Sequence, residues 1–162
     1  MARDAAARLY DVDARTFAFK KFNKSKKYDV GTISFRAKPG KLVQLDKLHE
    51  SMWATRLSGR TRSGLVKIEV TAVGKATVTD GKTVFLVSGS EDVFTLDEDS
   101  ELEKKEDRAI FGKLQEAMAK GRVVTSVTGR LDGWSGRWPT VLRRIPTKPR
   151  RILVSEFTTE SQ

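Results

Sequence analysis

The chain contains no cysteine and one histidine, His49. That excludes disulfides, thiolate metal sites and cysteine nucleophiles, and it leaves a single imidazole for acid/base work. Asp46, one helical turn before His49, is the lone carboxylate placed to join it, too few ligands for a metal site; a packed or boundary histidine is the plainer reading. No serine sits in a nucleophile-elbow pattern, and His49 is the only base any of them would have. The carboxylates between Glu91 and Asp107 are dense, but acidic groups ahead of a helix are accounted for by the positive helix terminus. The expectation is a protein with no catalysis, no metal and no cofactor. What remains is recognition chemistry, in three basic and aromatic groups. Lys20, Lys21, Phe22, Lys26, Lys27 and Tyr28 have the make-up of an arm laid on an anionic surface such as lipid headgroups. Arg60 and Arg62, between Gly59 and Gly64, offer forked donors to phosphate or carboxylate. Trp134, Arg137, Trp138, Arg143 and Arg144 combine the residue types enriched at interface hot spots.

Each group has a competing structural account. Phe17 and Phe19 alternate as in an edge strand with its aromatics facing a core, which would make the lysines after it a solvated loop. Ser58–Gly64 lacks the Gly-Lys-Ser/Thr ending and the strand-before, helix-after context of a P-loop, so a helix-to-strand connection explains it. Trp134 and Trp138 would equally cover an open barrel end.

The elements that must carry these groups centre on Leu65–Thr79. Val66, Ile68, Val70 and Ala72 alternate with Lys67, Glu69 and Thr71, the period of a long strand with one buried face. The pattern shifts at Val73-Gly74, which predicts a bulge or bend and one strand serving two packed units. Ahead of it, Val30–Ala37 reads as a strand, ended by Lys38-Pro39-Gly40-Lys41. Gln44–Leu57 reads as a helix with Leu45, Leu48, Met52, Trp53 and Leu57 on one face. Behind it, Asp80-Gly81 signals a hairpin. Lys82–Ser88 and Asp92–Leu96 follow as strands, with Phe85 and Phe94 spaced like core residues. A helix over about Glu103–Lys120 carries Ile110, Leu114, Ala117 and Met118, and Gly121 ends it. Arg122–Arg130, Thr140–Ile145 and Arg151–Phe157 are the remaining strands.

The net charge of +10 is unevenly spread. Residues 1–64 hold 15 Lys/Arg against 6 Asp/Glu, residues 65–107 hold 5 against 11, and residues 108–162 hold 11 against 4. Basic ends flanking an acidic middle invite an anionic partner: nucleic acid, phospholipid or an acidic protein. A plain solubilising coat gives the same balance. No apolar run reaches the ~20 residues of a membrane-spanning helix, and the first residues lack the apolar core of a signal peptide. A soluble, cytoplasmic chain is expected unless a leader has been removed.

From Leu65 the order is three strands, a helix and two strands, and this resembles an OB-fold, a five-stranded barrel with its helix between the third and fourth strands. The resemblance covers Leu65–Ile145 and rests on element order. Residues 30–73, strand, helix, strand, are similar to the first half of a heavy-metal-associated, ferredoxin-like domain. That family carries CxxC at the turn occupied here by Lys38–Val43, KPGKLV, so metal transfer through thiolates is not implied. The expected class is α+β and mostly β. It comprises a basic/aromatic arm (1–29), the strand-helix-strand unit (30–73), a barrel sharing its long strand (65–145), and a C-terminal strand and tail (146–162).

The functional expectation is a non-catalytic accessory or scaffold subunit docking on protein subunits of a larger assembly, including one at the cytoplasmic face of a membrane. The alternative is a single-stranded nucleic-acid-binding barrel, for which Trp134, Arg137, Trp138, Arg143 and Arg144 fit the loop between the last two barrel strands. Its second and third strands fit poorly, because they lie in the acidic middle where phosphates meet repulsion.

Overall fold

The computed structural model describes residues 12–24, 29–38, 41, 68–100, 102, 104–132 and 151–160. The chain divides into two compact units, Met1–Gly64 and Leu65–Gln162.

In the first unit, β1 (Val12–Lys24) pairs antiparallel with β2 (Asp29–Ala37). Within the stretch expected as an arm over 1–29, Val12–Lys24 is thus a strand, and the expected boundary at residue 29/30 falls inside its partner β2. The alternating aromatics explain this. The Phe17 ring stacks on Phe35 across the pair, centroids 6.2 Å apart and planes within 5°, the kind of cross-strand contact that holds a two-stranded sheet. The register shifts between Asp13 and Ala18, where Thr16 Oγ1 takes the Arg36 N–H at 2.8 Å and donates to the Asp13 carbonyl at 2.7 Å. A hydroxyl thereby stands in for ladder bonds that the bulge removes. Asp13 accepts from both the side chain and the backbone N–H of Arg15, which holds its carboxyl below the usual 3.8. The predicted helix Gln44–Leu57, with His49, lies outside the described residues.

The second unit is a closed five-stranded barrel. Its strands are β3 (Glu69–Thr79), β4 (Lys82–Val87), β5 (Val93–Glu98), β6 (Val124–Leu131) and β7 (Arg151–Thr159). Around the wall the order is β3-β4-β5-β7-β6, with β6 returning to β3; β5 and β7 run parallel and every other pair is antiparallel. Two helices, α1 (Lys105–Arg108) and α2 (Ile110–Ala119), lie between β5 and β6. The single predicted helix is therefore interrupted at Ala109.

Two expectations about the barrel need correction. Its fifth described strand is Arg151–Thr159, so the barrel extends past the boundary expected at residue 145 and takes in the stretch expected as a separate C-terminal strand. The apolar run Ile152-Leu153-Val154, buried throughout, is what a strand covered on both faces needs. The residues 140–145 lie outside the described set. Secondly, the long strand does not serve two units, because β1 and β2 form a sheet of their own among the described residues. It serves two ladders of one barrel: Glu69–Val73 pairs with β6 and Gly74–Thr79 with β4. The changeover falls at the predicted bend. A Cβ on Gly74 would sit 1.9 Å from the Leu86 carbonyl oxygen, so only glycine lets β4 come in where the strand changes partner,.

Local signals elsewhere hold. Asp80 and Gly81 both have positive φ, 50° and 72°, the backbone of a two-residue type I′ hairpin. Gly121, at φ +79°, ends α2 in a Schellman arrangement, with its N–H on the Met118 carbonyl and that of Arg122 on the Ala117 carbonyl,. Phe85, Phe94, Leu96, Val127, Ile152 and Val154 are buried. Leu114 of α2 is fully buried, and α2 packs mainly against β7 and β5.

Candidate interaction surface

Period-two alternation that turns Phe85 and Phe94 inward must turn their neighbours outward. The register then sets rows across the outer wall: Lys75 opposite Leu86 opposite Val93, and Thr77 opposite Val84 opposite Thr95. Val73 lies one position up the outer face of β3 and bonds through its carbonyl to the Ser88 N–H at 2.9 Å. Val73 is 62% exposed, Leu86 43% and Val93 47%. These three aliphatic side chains, with half-buried Val84, make an apolar area on a sheet face, and Lys75 stands within it. The turn from β4 to β5 is stiffened by Ser90, whose hydroxyl donates to Asp92 Oδ2 at 2.7 Å and accepts the Asp92 N–H at 3.1 Å. That fixes where Val93 enters the row.

A second group of polar side chains lies on the outer side of β5, β6 and β7, and its chemistry is structural. Arg130, 8% exposed, meets Asp99, 4% exposed, through two bonds, Nε to Oδ2 at 3.1 Å and Nη2 to Oδ1 at 2.7 Å. Arg151 bonds Asp97 at 2.7 Å and Asp132 through both Nε and Nη2. The Asp132 hydrogen bond, opposed by partial burial, pushes the pKa of the Arg151 guanidinium up from its ordinary value. These pairs join the end of β5, the end of β6 and the start of β7. Their carboxylates are engaged by guanidinium groups, and among the described residues no group of three or more His, Cys, Asp or Glu is placed to hold a metal ion. No helix among them is long and apolar enough to cross a membrane.

Of the residues singled out in the sequence, Lys20, Lys21 and Phe22 lie in β1. Lys26, Lys27, Tyr28, Arg60, Arg62, Trp134, Arg137, Trp138, Arg143 and Arg144 lie outside the described residues. Lys75, Leu86 and Val93, and Val73 other than as the point where the alternation shifts, are not among the residues that the sequence singles out. The signal was present: once Phe85 and Phe94 are taken as core, Leu86 and Val93 must face out. Neither known protein families, characterised proteins nor solved structures provide a match to this chain.

Proposed function

We propose that this protein is a non-catalytic accessory or scaffold subunit, and that it docks on a protein partner through the outer face of β3, β4 and β5. One observation carries the reading: Leu86 and Val93 are exposed in register and Val73 is exposed on the same outer face of β3, while both phenylalanines of β4 and β5 are inside. Exposed contiguous aliphatic surface favours association with another apolar surface. Single-strand nucleic acid instead calls for aromatic platforms along a basic track. Among the described residues, this face carries no aromatic.

We also propose that the barrel is OB-like. Support comes from the strand order β3-β4-β5-β7-β6, the parallel β5–β7 pair and the helices between the third and fourth barrel strands,. Within this reading the Trp/Arg-rich segment 133–150, between β6 and β7, and the lysines of residues 20–27 are further contacts, to protein or to anionic lipid.

The test is affinity recovery from gently solubilised native cells, with and without nuclease, using the natural chain and Leu86→Asp. A fixed set of proteins, recovered irrespective of nuclease and lost with Leu86→Asp at unchanged circular dichroism, is the expected result. Recovery that vanishes with nuclease, or that survives Leu86→Asp, sinks the proposal.

A further inference from the structure

The β1–β2 sheet sorts its side chains by parity. Ile33, Phe35 and Ala37 are half-buried, with Phe35 stacked on Phe17. Thr32, Ser34, Arg36 and Lys38 alternate with them and are all exposed, Lys38 carrying the alternation one residue past β2. Same-face neighbours on a strand are about 6.8 Å apart, so these side chains make a row about 20 Å long. Across the pair from Ser34, β1 places Ala18, which is exposed and small.

The row ends in cations. The Lys41 N–H bonds the Lys38 carbonyl at 3.0 Å, a four-residue turn that keeps exposed Lys41 close to Lys38,. Asp13 is the one carboxylate among the described side chains of this sheet, and it lies in register with Arg36. Both its oxygens are taken by Arg15, Oδ1 by Nε and Oδ2 by Nη2, each at 3.0 Å. Arg36, Lys38 and Lys41 make no ion pair with a described residue.

We propose that this face, Thr32, Ser34, Arg36 and Lys38 with Lys41, binds the phosphate backbone of a nucleic-acid duplex without regard to sequence. Hydroxyl, guanidinium and ammonium donors are the groups that phosphate oxygens accept from, and a row of them follows a linear chain of phosphates. The described side chains of this face include no aromatic, so bases have no platform to stack on and a single strand gains little,. They include no apolar group larger than Ala18 to enter a bilayer, which sets the face apart from a lipid-binding one,. A duplex also carries its charge more densely than a single strand, so three unpaired cations release more counterions from it. The site belongs to the first unit and does not rest on the reading of the barrel face.

The experiment is fluorescence anisotropy of the full chain with a labelled DNA duplex of about 20 base pairs and with one of its strands, between about 50 and 200 mM salt. Flotation with vesicles of phosphatidylcholine and phosphatidylserine in equal parts runs beside it. The duplex binds more tightly than the single strand, and a second duplex of unrelated sequence binds equally well. Arg36→Gln/Lys38→Gln/Lys41→Gln, at unchanged circular dichroism, reduces the slope of log affinity against log salt by about 2–3. Lys113→Gln/Lys120→Gln/Arg122→Gln removes as many exposed cations from in and after α2 and leaves the slope unchanged. Ser34→Asp, which puts a negative charge into the row without removing a cation, weakens the duplex about tenfold. An equal loss of slope in both triple variants, or none in the first, overturns the proposal. So does tighter binding of the single strand, or a first triple variant that releases the vesicles and keeps the duplex.

Discussion

Arg130, near the end of β6, and Asp99, just after β5, are both charged and both nearly buried. A charge in that position is tolerated because its partner is in place and bidentate. Breaking the pair therefore costs more than the pair itself contributes. Arg130→Met, which takes the bidentate guanidinium away from buried Asp99, is expected to lower unfolding free energy by about 3 kcal/mol,. Arg130→Met with Asp99→Leu should recover most of that loss. Urea titrations of the three proteins measure the difference, and equal instability of the single and double variants would show that shape, not charge, matters there. No sequence signal distinguishes Arg130 from the other arginines. Its burial depends on which residue the turn after β5 brings against it.

At the scale of elements, the apolar outer face depends on how β3 passes from one ladder to the next. Gly74 is where the strand leaves β6 and joins β4, and an added methyl there meets backbone. Gly112, inside α2 and exposed, has nothing within 4 Å of an added Cβ. The two glycines predict opposite outcomes. Gly74→Ala should destabilise by about 3 kcal/mol through overpacking. Gly112→Ala should stabilise by about 1 kcal/mol through helix propensity. Thermal unfolding checks both, with a shift of roughly 2–4 °C per kcal/mol for a chain of this size. A Gly74→Ala protein as stable as the natural one would show that the close approach of β4 is not required.

For the molecule as a whole, the division at Gly64/Leu65 separates a β1–β2 sheet from a barrel with its own buried core. A closed barrel has paired neighbours around its wall and Leu114 of α2 set in its core, the conditions for folding alone. The fragment Leu65–Gln162 is expected to unfold cooperatively, with its midpoint within a few degrees of the barrel transition in the full chain. Calorimetry of both decides this, and a fragment with no cooperative transition would mean that the first unit completes the barrel core.

The sequence by itself determined what alternation and local backbone chemistry determine. The succession of β3, β4, β5, a helical stretch and β6, the Asp80-Gly81 hairpin, the stop at Gly121 and the inward Phe85 and Phe94 all follow from neighbours in the chain, because φ/ψ preference and side-chain period act over a few residues. Only the tertiary structure decided that Arg151–Thr159 closes the barrel, that Glu69–Thr79 serves one unit, and that Arg130 is buried against Asp99. Thr140–Ile145 and Arg151–Phe157 read alike as strands, and their local patterns do not say which one lies parallel to β5. That choice is made by long-range register and by the covering of Ile152-Leu153-Val154, free-energy differences that exist only once the strands are side by side. The exposed apolar face has the same origin. Alternation says that Leu86 and Val93 point outward, and the register of three strands puts them with Lys75 in one row.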